Sequence, residues 1–346
     1  MKKVLIVRAS AIGDIVFASP FAEAIKKTYP DVHIAWLMEK GNEALMSDSP
    51  YVDECIVMPT SEWKFLWKSG KKLEAIKRIR DFGAELKAHR FDIAIDLQGL
   101  FKSGIFAWMT SAPVRIGLGS REGSQWLMNK IIPRNGEPER ISSEYLYLAE
   151  QLGLNHSHFT PTLSLNPLSE KQALEKLATH DLQQKKYIIF AAFTTRPQKH
   201  WFADAWQALA PMVRKKTGLI PVLLGGPADE AAAREIQSGT LGMVNLVGQT
   251  RLAEAVAIVA HAKALIGVDT GLTHMGIAFD IPTIALFGST CPYTNTTRKN
   301  AKVLWQGLPC SPCRRKPTCN GRFDCLRKIT PENVVAELQS VLKSEL

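Results

Sequence analysis

Residues 264–274 read Ala-Leu-Ile-Gly-Val-Asp-Thr-Gly-Leu-Thr-His. Ala264 to Val268 make a short, fully apolar strand, and Met275 to Phe279 suit a helix. A strand that turns into a helix through Asp269, Thr270 and Gly271 is the unit from which parallel α/β sheets are wound. It presents unpaired backbone N–H groups and a positive dipole end above the strand's carboxyl terminus. A phosphate fits there, and Asp269, Thr270 and His274 add polar groups at the same place. Asp and Thr also favour an ordinary helix cap, so both readings stand on this stretch alone.

The pattern repeats on either side. Tyr187 to Ala192, Ile220 to Leu224, Val244 to Val247 and Thr283 to Phe287 read as strands. Ala203 to Val213, Asp229 to Gln237 and Ala253 to His261 read as the helices between them. The first half alternates in the same way. Val4 to Val7, His33 to Met38, Glu54 to Met58 and Ile93 to Leu97 are strands, and Ile15 to Lys27 is a helix despite Pro20. Lys71 to His89 is a helix with Leu73, Ile76, Ile79, Phe82 and Leu86 on one face. Such alternation predicts two Rossmann-like, doubly wound halves. Asn155 to Pro167 has two prolines and no helical period, which puts the boundary there: residues 1–160, then 161–330, with a closing helix in 331–346.

A chain of 346 residues is long enough for two such cores, and 46% hydrophobic with 22% charged residues marks a globular protein. The apolar run after Lys3 is too short for a secretion signal, and no run approaches a membrane span. The cytoplasm is the expected location. A net charge of +10 favours anionic partners. No recognition helix or RNP-type motif accompanies it, so the rival reading, a basic nucleic-acid-binding protein, has little beyond charge in its favour and nucleic acid is not an expected partner.

Three strand-to-helix loops could carry chemistry. Ser10-Ala11-Ile12-Gly13-Asp14 follows the first strand, where Asp14 could act as a general base toward a hydroxyl or simply favour a helix start. One glycine there is no dinucleotide fingerprint, which argues against a dehydrogenase. Thr194-Thr195-Arg196-Pro197-Gln198-Lys199-His200-Trp201 offers two hydroxyls and two cations suited to a pyrophosphate. Gly225 to Glu230 places acids where they could meet a ribose or cap a helix.

Ser10 to Asp14, Ile95-Asp96-Leu97-Gln98-Gly99-Leu100-Phe101-Lys102-Ser103, Thr194 to Trp201 and Val268 to His274, in this order, resemble glycosyltransferase family 9 over nearly the whole chain. The best-known members of that family are lipopolysaccharide core heptosyltransferases. The resemblance implies a GT-B fold, two Rossmann-like domains facing across a cleft, with the acceptor on the N-terminal and ADP-L-glycero-D-manno-heptose on the C-terminal domain. It implies inversion at the anomeric carbon, no metal or cofactor in catalysis, and a closing helix that crosses back to the first domain. Matched by position, Asp14 is the catalytic base, and Lys199 assists at the leaving group. Thr194, Thr195, Lys199, Asp269, Thr270, Gly271, Leu272 and His274 hold the donor. Ser10, Gln98 and Lys102 occupy acceptor-side positions. The acceptor implied is phosphorylated lipid A carrying Kdo.

Two further segments stand out. Trp63 to Arg90 carries nine Lys or Arg residues behind Trp63, Phe65 and Trp67. Such a segment suits docking on the anionic inner face of the inner membrane. Cys310, Cys313, Cys319 and Cys325 have the spacing C-x2-C-x5-C-x5-C. Four thiols among arginines and lysines point to a structural zinc or iron, with a loop of packed thiols as the alternative.

Overall fold

The computed structural model describes residues 2–343. It forms two units, Met1–Glu137 with Ser142–Ser164, and Pro138–Ile141 with Leu165–Leu346. In the first, strands β1 (Lys3–Val7), β2 (His33–Glu39), β3 (Glu54–Met58), β4 (Ile93–Asp96), β5 (Val114–Leu118) and β6 (Lys130–Ile132) make one parallel sheet. Its order is β3-β2-β1-β4-β5-β6. In the second, β7 (Tyr187–Ala191), β8 (Ile220–Leu223), β9 (Val244–Asn245), β10 (Ala264–Val268), β11 (Thr283–Phe287) and β12 (Ala301–Trp305) repeat that order as β9-β8-β7-β10-β11-β12. Both halves are therefore doubly wound, as the alternation predicts. In each the order reverses beside the first strand, between β1 and β4 and between β7 and β10.

The central strands form because their residues are apolar on both faces and helices cover both sides. Every residue of β7, β10 and β11 is buried. Against the C-terminal sheet, Trp201 and Trp206 pack edge to face with centroids 5.0 Å apart. The Trp201 indole N–H is shared by the carbonyls of Leu326 (3.2 Å) and Ile329 (3.1 Å). The closing helix, Pro331–Lys343, buries Val334, Val335, Leu338 and Val341 in the same core. The last three residues of the expected 331–346 segment lie outside the described residues.

The helix after β1 begins at Ile12, three residues earlier than its sequence pattern indicates, and runs to Thr28 through Pro20. Pro20 has no N–H for the carbonyl of Val16. The Ser19 hydroxyl donates to that carbonyl instead (2.8 Å), and its oxygen accepts from the N–H of Thr162 (3.0 Å).

The helix predicted over 71–89 forms as Lys72–Ala88, but its apolar stripe is not all buried. Phe82 and Leu86 enter the core, whereas Leu73 is 85% and Ile76 44% exposed. A helix unassigned from sequence, Thr60–Lys68, precedes it and supplies Trp63 and Leu66 to the core in their place. Trp63 stacks on Phe106 and meets Phe82 edge-on. Among the described residues no helix is long and apolar enough to cross a membrane.

Candidate functional site

In an open parallel sheet the two loops at the point of strand reversal leave in opposite directions and open a crevice. In the C-terminal unit these are the loop after β7, holding Thr194 to Lys199, and the turn after β10, holding Asp269 to His274. The register sets Gly267 opposite Ala191, so both loops start level. A side chain on Gly267 would collide with Thr273 Oγ1 at 2.2 Å and Ala191 Cβ at 2.7 Å. Glycine therefore lets the helix Gly271–Ala278 seat directly on the strand end, where the Thr273 hydroxyl donates to the Val268 carbonyl (2.6 Å).

Asp269 is the hub. Lys199 Nζ lies 2.6 Å from its Oδ2, and the Thr290 hydroxyl donates to the same oxygen. His274 Nε2 stands 3.3 Å from Oδ1, while its Nδ1 meets the Tyr293 hydroxyl at 2.7 Å. Burial would raise the Asp269 pKa, but the hydrogen bond and charge of His274, with those of Lys199, outweigh it and hold the carboxyl well below the usual range. The network thus fixes Lys199, Asp269 and His274 together. Thr270 caps the helix without a side-chain hydrogen bond, leaving the first N–H groups of Gly271 and Leu272 at the crevice. Thr194 is held by His200, whose Nε2 is 2.7 Å from its carbonyl oxygen; Thr195 is exposed. Asp229 accepts from the Gly226 N–H (2.9 Å), a loop-closing role.

In the N-terminal unit the equivalent loops follow β1 and β4. Asp14 lies in the first helical turn, its Oδ2 accepting from the Ala11 N–H (3.2 Å) and paired with Arg8 at 2.7 Å. Its Oδ1 has no hydrogen-bond partner among the described residues. One oxygen is oriented and the other is available to take a proton. Gln98 Oε1 accepts from the Ala9 N–H (3.2 Å), tying the two loops together beside half-buried Ser10. Arg134 donates to the carbonyls of Leu97 (3.2 Å) and Gln98 (2.9 Å) and pairs with Glu144. Lys102 pairs with Glu39. Gly99, at φ +68°, has the Leu118 carbonyl oxygen 2.4 Å from where a Cβ would sit, so this turn requires glycine.

Arg8, Arg134, Thr290 and Tyr293 were not identified from sequence. All four lie outside the recognised motifs, and each meets a residue inside one. Only the buried arginine directly after an apolar strand, Arg8, leaves a sequence signal.

Cys310, Cys313, Cys319 and Cys325 do line one small cavity of about 130 Å³. However, among the described residues no three His, Cys, Asp or Glu side chains are placed to hold a metal ion. Burial first, then the neighbouring thiols, push the Cys313 and Cys325 thiols up. All six cysteines are free.

A family model described as glycosyltransferase family 9 (heptosyltransferase) matches residues 79–323. Lipopolysaccharide heptosyltransferase 1 of Pseudomonas aeruginosa is 28% identical, with 98% of each chain covered. Lipopolysaccharide heptosyltransferase 2 of Salmonella typhimurium is 27% identical, with 99% of each covered. An Escherichia coli heptosyltransferase solved with ADP-2-deoxy-2-fluoro heptose superposes with a TM-score of 0.71 at 25% identity, covering 98% of this chain and 99% of that one.

The Asp269 network carries a pH signature. A carboxyl with a depressed folded pKa contributes stability that is fully present above its unfolded pKa, about 3.9, and is lost as pH falls through the folded value. Asp269→Asn is expected to lower Tm near neutral pH and to flatten its decline below about pH 4. Calorimetric melts of both proteins from pH 7 to 2.5 test this; an unchanged acid slope in the variant would refute it.

Proposed function

The chain belongs to glycosyltransferase family 9, the heptosyltransferases, and from that premise we propose that it moves heptose from ADP-L-glycero-D-manno-heptose to the Kdo inner-core region of lipopolysaccharide. The reading follows heptosyltransferase I, which the segment Thr194 to Trp201 most resembles. Its main support is the convergence of Lys199, Asp269 and the uncapped helix start at Thr270 on one crevice. Cation and helix N–H groups together suit a diphosphate that gains charge as its bond to the sugar breaks. Thr194, Thr195, Gly271, Leu272 and His274 complete the donor set.

The N-terminal unit takes the acceptor, with Ser10, Gln98 and Lys102 on its binding side. Asp14 Oδ1 accepts the proton of the acceptor hydroxyl while that oxygen attacks the anomeric carbon. The carbon–oxygen bond to the diphosphate breaks on the opposite face, so configuration inverts and ADP leaves with the charge. Arg8 keeps the carboxylate oriented throughout. Asp14→Asn should lower kcat by about 10²–10⁴-fold. ADP affinity, measured by calorimetry, should hold, because no donor contact is lost. Full turnover in this variant would remove Asp14 from the role.

The second heptosyltransferase activity is the competing assignment, since relatives of both names match at similar identity. A panel of truncated core acceptors separates them. Transfer onto a Kdo-terminated acceptor is expected; transfer only onto one that already carries heptose would reassign the enzyme.

Phe65 and Trp67 on the helix Thr60–Lys68, and Leu73 and Ile76 on the next, are exposed among Lys64, Lys68, Lys71 and Lys72. Exposed aromatics and aliphatics within a basic surface support docking on an anionic bilayer, the cytoplasmic face of the inner membrane. Each such side chain contributes about 1.5–3 kcal/mol when removed from water. The triple variant Phe65→Ser, Trp67→Ser, Leu73→Ser should therefore lose at least about tenfold in partitioning to anionic vesicles. Equal sedimentation of variant and wild type would refute this surface.

A further inference from the structure

The segment 310–316 has no part in the site described above, yet it is fastened to that site on two sides. The Ser311 hydroxyl donates to the Gly288 carbonyl (2.5 Å), and the Arg314 N–H donates to the Ser289 carbonyl (2.6 Å). These anchors directly precede Thr290, which donates to Asp269. On the other side Gln198, next to Lys199, donates through Nε2 to the Arg314 carbonyl (3.0 Å). A backbone held at these points carries Arg314, Arg315 and Lys316 to the rim of a cavity of about 750 Å³, which Arg196 and Asp269 also line.

The charge in this cavity is unbalanced. Four cations face a single acid, and Asp269 is already paired with Lys199. None of Arg196, Arg314, Arg315 and Lys316 has an ion-pair partner among the described residues. Like charges gathered in one concavity repel each other and raise its positive potential. An anion relieves both effects. Guanidinium forks, in particular, match the paired oxygens of a carboxylate or phosphate.

We propose that Arg314, Arg315 and Lys316, completed by Arg196, form an oxyanion-binding wall that holds a phosphate or carboxylate of a sugar substrate beside Asp269. This rests on the transfer reaction proposed above. The oxyanion belongs either to the acidic acceptor or to the donor diphosphate, and both have the same chemistry. The tie at Ser289 and Gln198 makes the wall part of the Lys199–Asp269 network, so that it is a binding surface and not a loose basic loop.

The test uses the full chain and a triple variant, Arg314→Gln, Arg315→Gln, Lys316→Gln, whose side chains are exposed and whose backbone anchors are untouched. Calorimetric titration with inorganic pyrophosphate should show at least about tenfold weaker binding than wild type. A control, Lys186→Gln, Lys216→Gln, Lys343→Gln, removes the same charge from a separate cavity of this unit and should bind as wild type. In steady-state assays a raised KM for acceptor alone places the oxyanion on the acceptor, and a raised KM for ADP-heptose alone places it on the donor. Unchanged pyrophosphate binding in the triple variant, or an equal loss in the control, overturns the wall. Wild-type protein that binds pyrophosphate through these residues but transfers no heptose would overturn the transfer reaction and leave the wall standing.

Discussion

The reversal of strand order beside the first strand of each sheet is the constraint on which the rest depends. Neighbouring crossovers on opposite faces leave a gap above the carboxyl ends of β1 and β4, and of β7 and β10, that no connecting loop can fill. Each polar group of interest sits at such a gap: Asp14 and Gln98 in one unit, Lys199 and Asp269 in the other. None of them needs a dedicated scaffold. The buried apolar strands fix the positions of the loop ends, and the loops supply the chemistry.

The two sheets also use the same device differently. Both β4 and β10 lead into an aspartate, Asp96 at the strand's end and Asp269 one residue beyond it. Asp96 is fully buried and accepts from the N–H groups of Gln98 (2.9 Å) and Gly99 (3.1 Å) and the hydroxyl of Ser103 (2.9 Å). Burial prevails over these donors and its pKa is raised. Asp269 adds Lys199 and His274 to a comparable burial and its pKa falls. A carboxyl surrounded by neutral donors shapes a turn. One paired with a lysine and a histidine keeps its charge and holds both partners in register.

Much of this was legible before any coordinates. Fully buried strands such as Tyr187–Ala191 and Thr283–Phe287 announce themselves as apolar runs, and short polar loops after them mark the gaps. Strands β5, β6 and β12 escaped notice because they lie at or next to a sheet edge and are partly exposed, with Arg115, Lys130 and Lys302 inside them. Helical period misled at Leu73 and Ile76, since period reports which residues share a face but not whether anything covers it. Among site residues, those adjacent to a strand end could be read from the chain. Arg134 could not: its contacts with Leu97 and Gln98 span more than 35 residues and exist only once the sheet has formed. Cysteine spacing likewise specified proximity, and the four thiols share one cavity.

Charge distribution brings these observations together. An excess of +10 destabilises a compact chain through self-repulsion, so its placement calls for a physical reason. Salt bridges absorb part of it, as between Lys26 and Asp53 or Lys302 and Glu337, and such surface pairs contribute little each. Among the described residues, unpaired cations occur in several places, including Lys186, Lys216 and Lys343 around one cavity of the C-terminal unit. Two further groups lie on the helices that expose Phe65, Trp67 and Leu73, and around the cavity beside Asp269. Cations left without partners next to exposed apolar side chains, or around a cavity, are stabilised only when something anionic arrives. Each anion bound at such a place would offset part of the repulsion that the free chain carries.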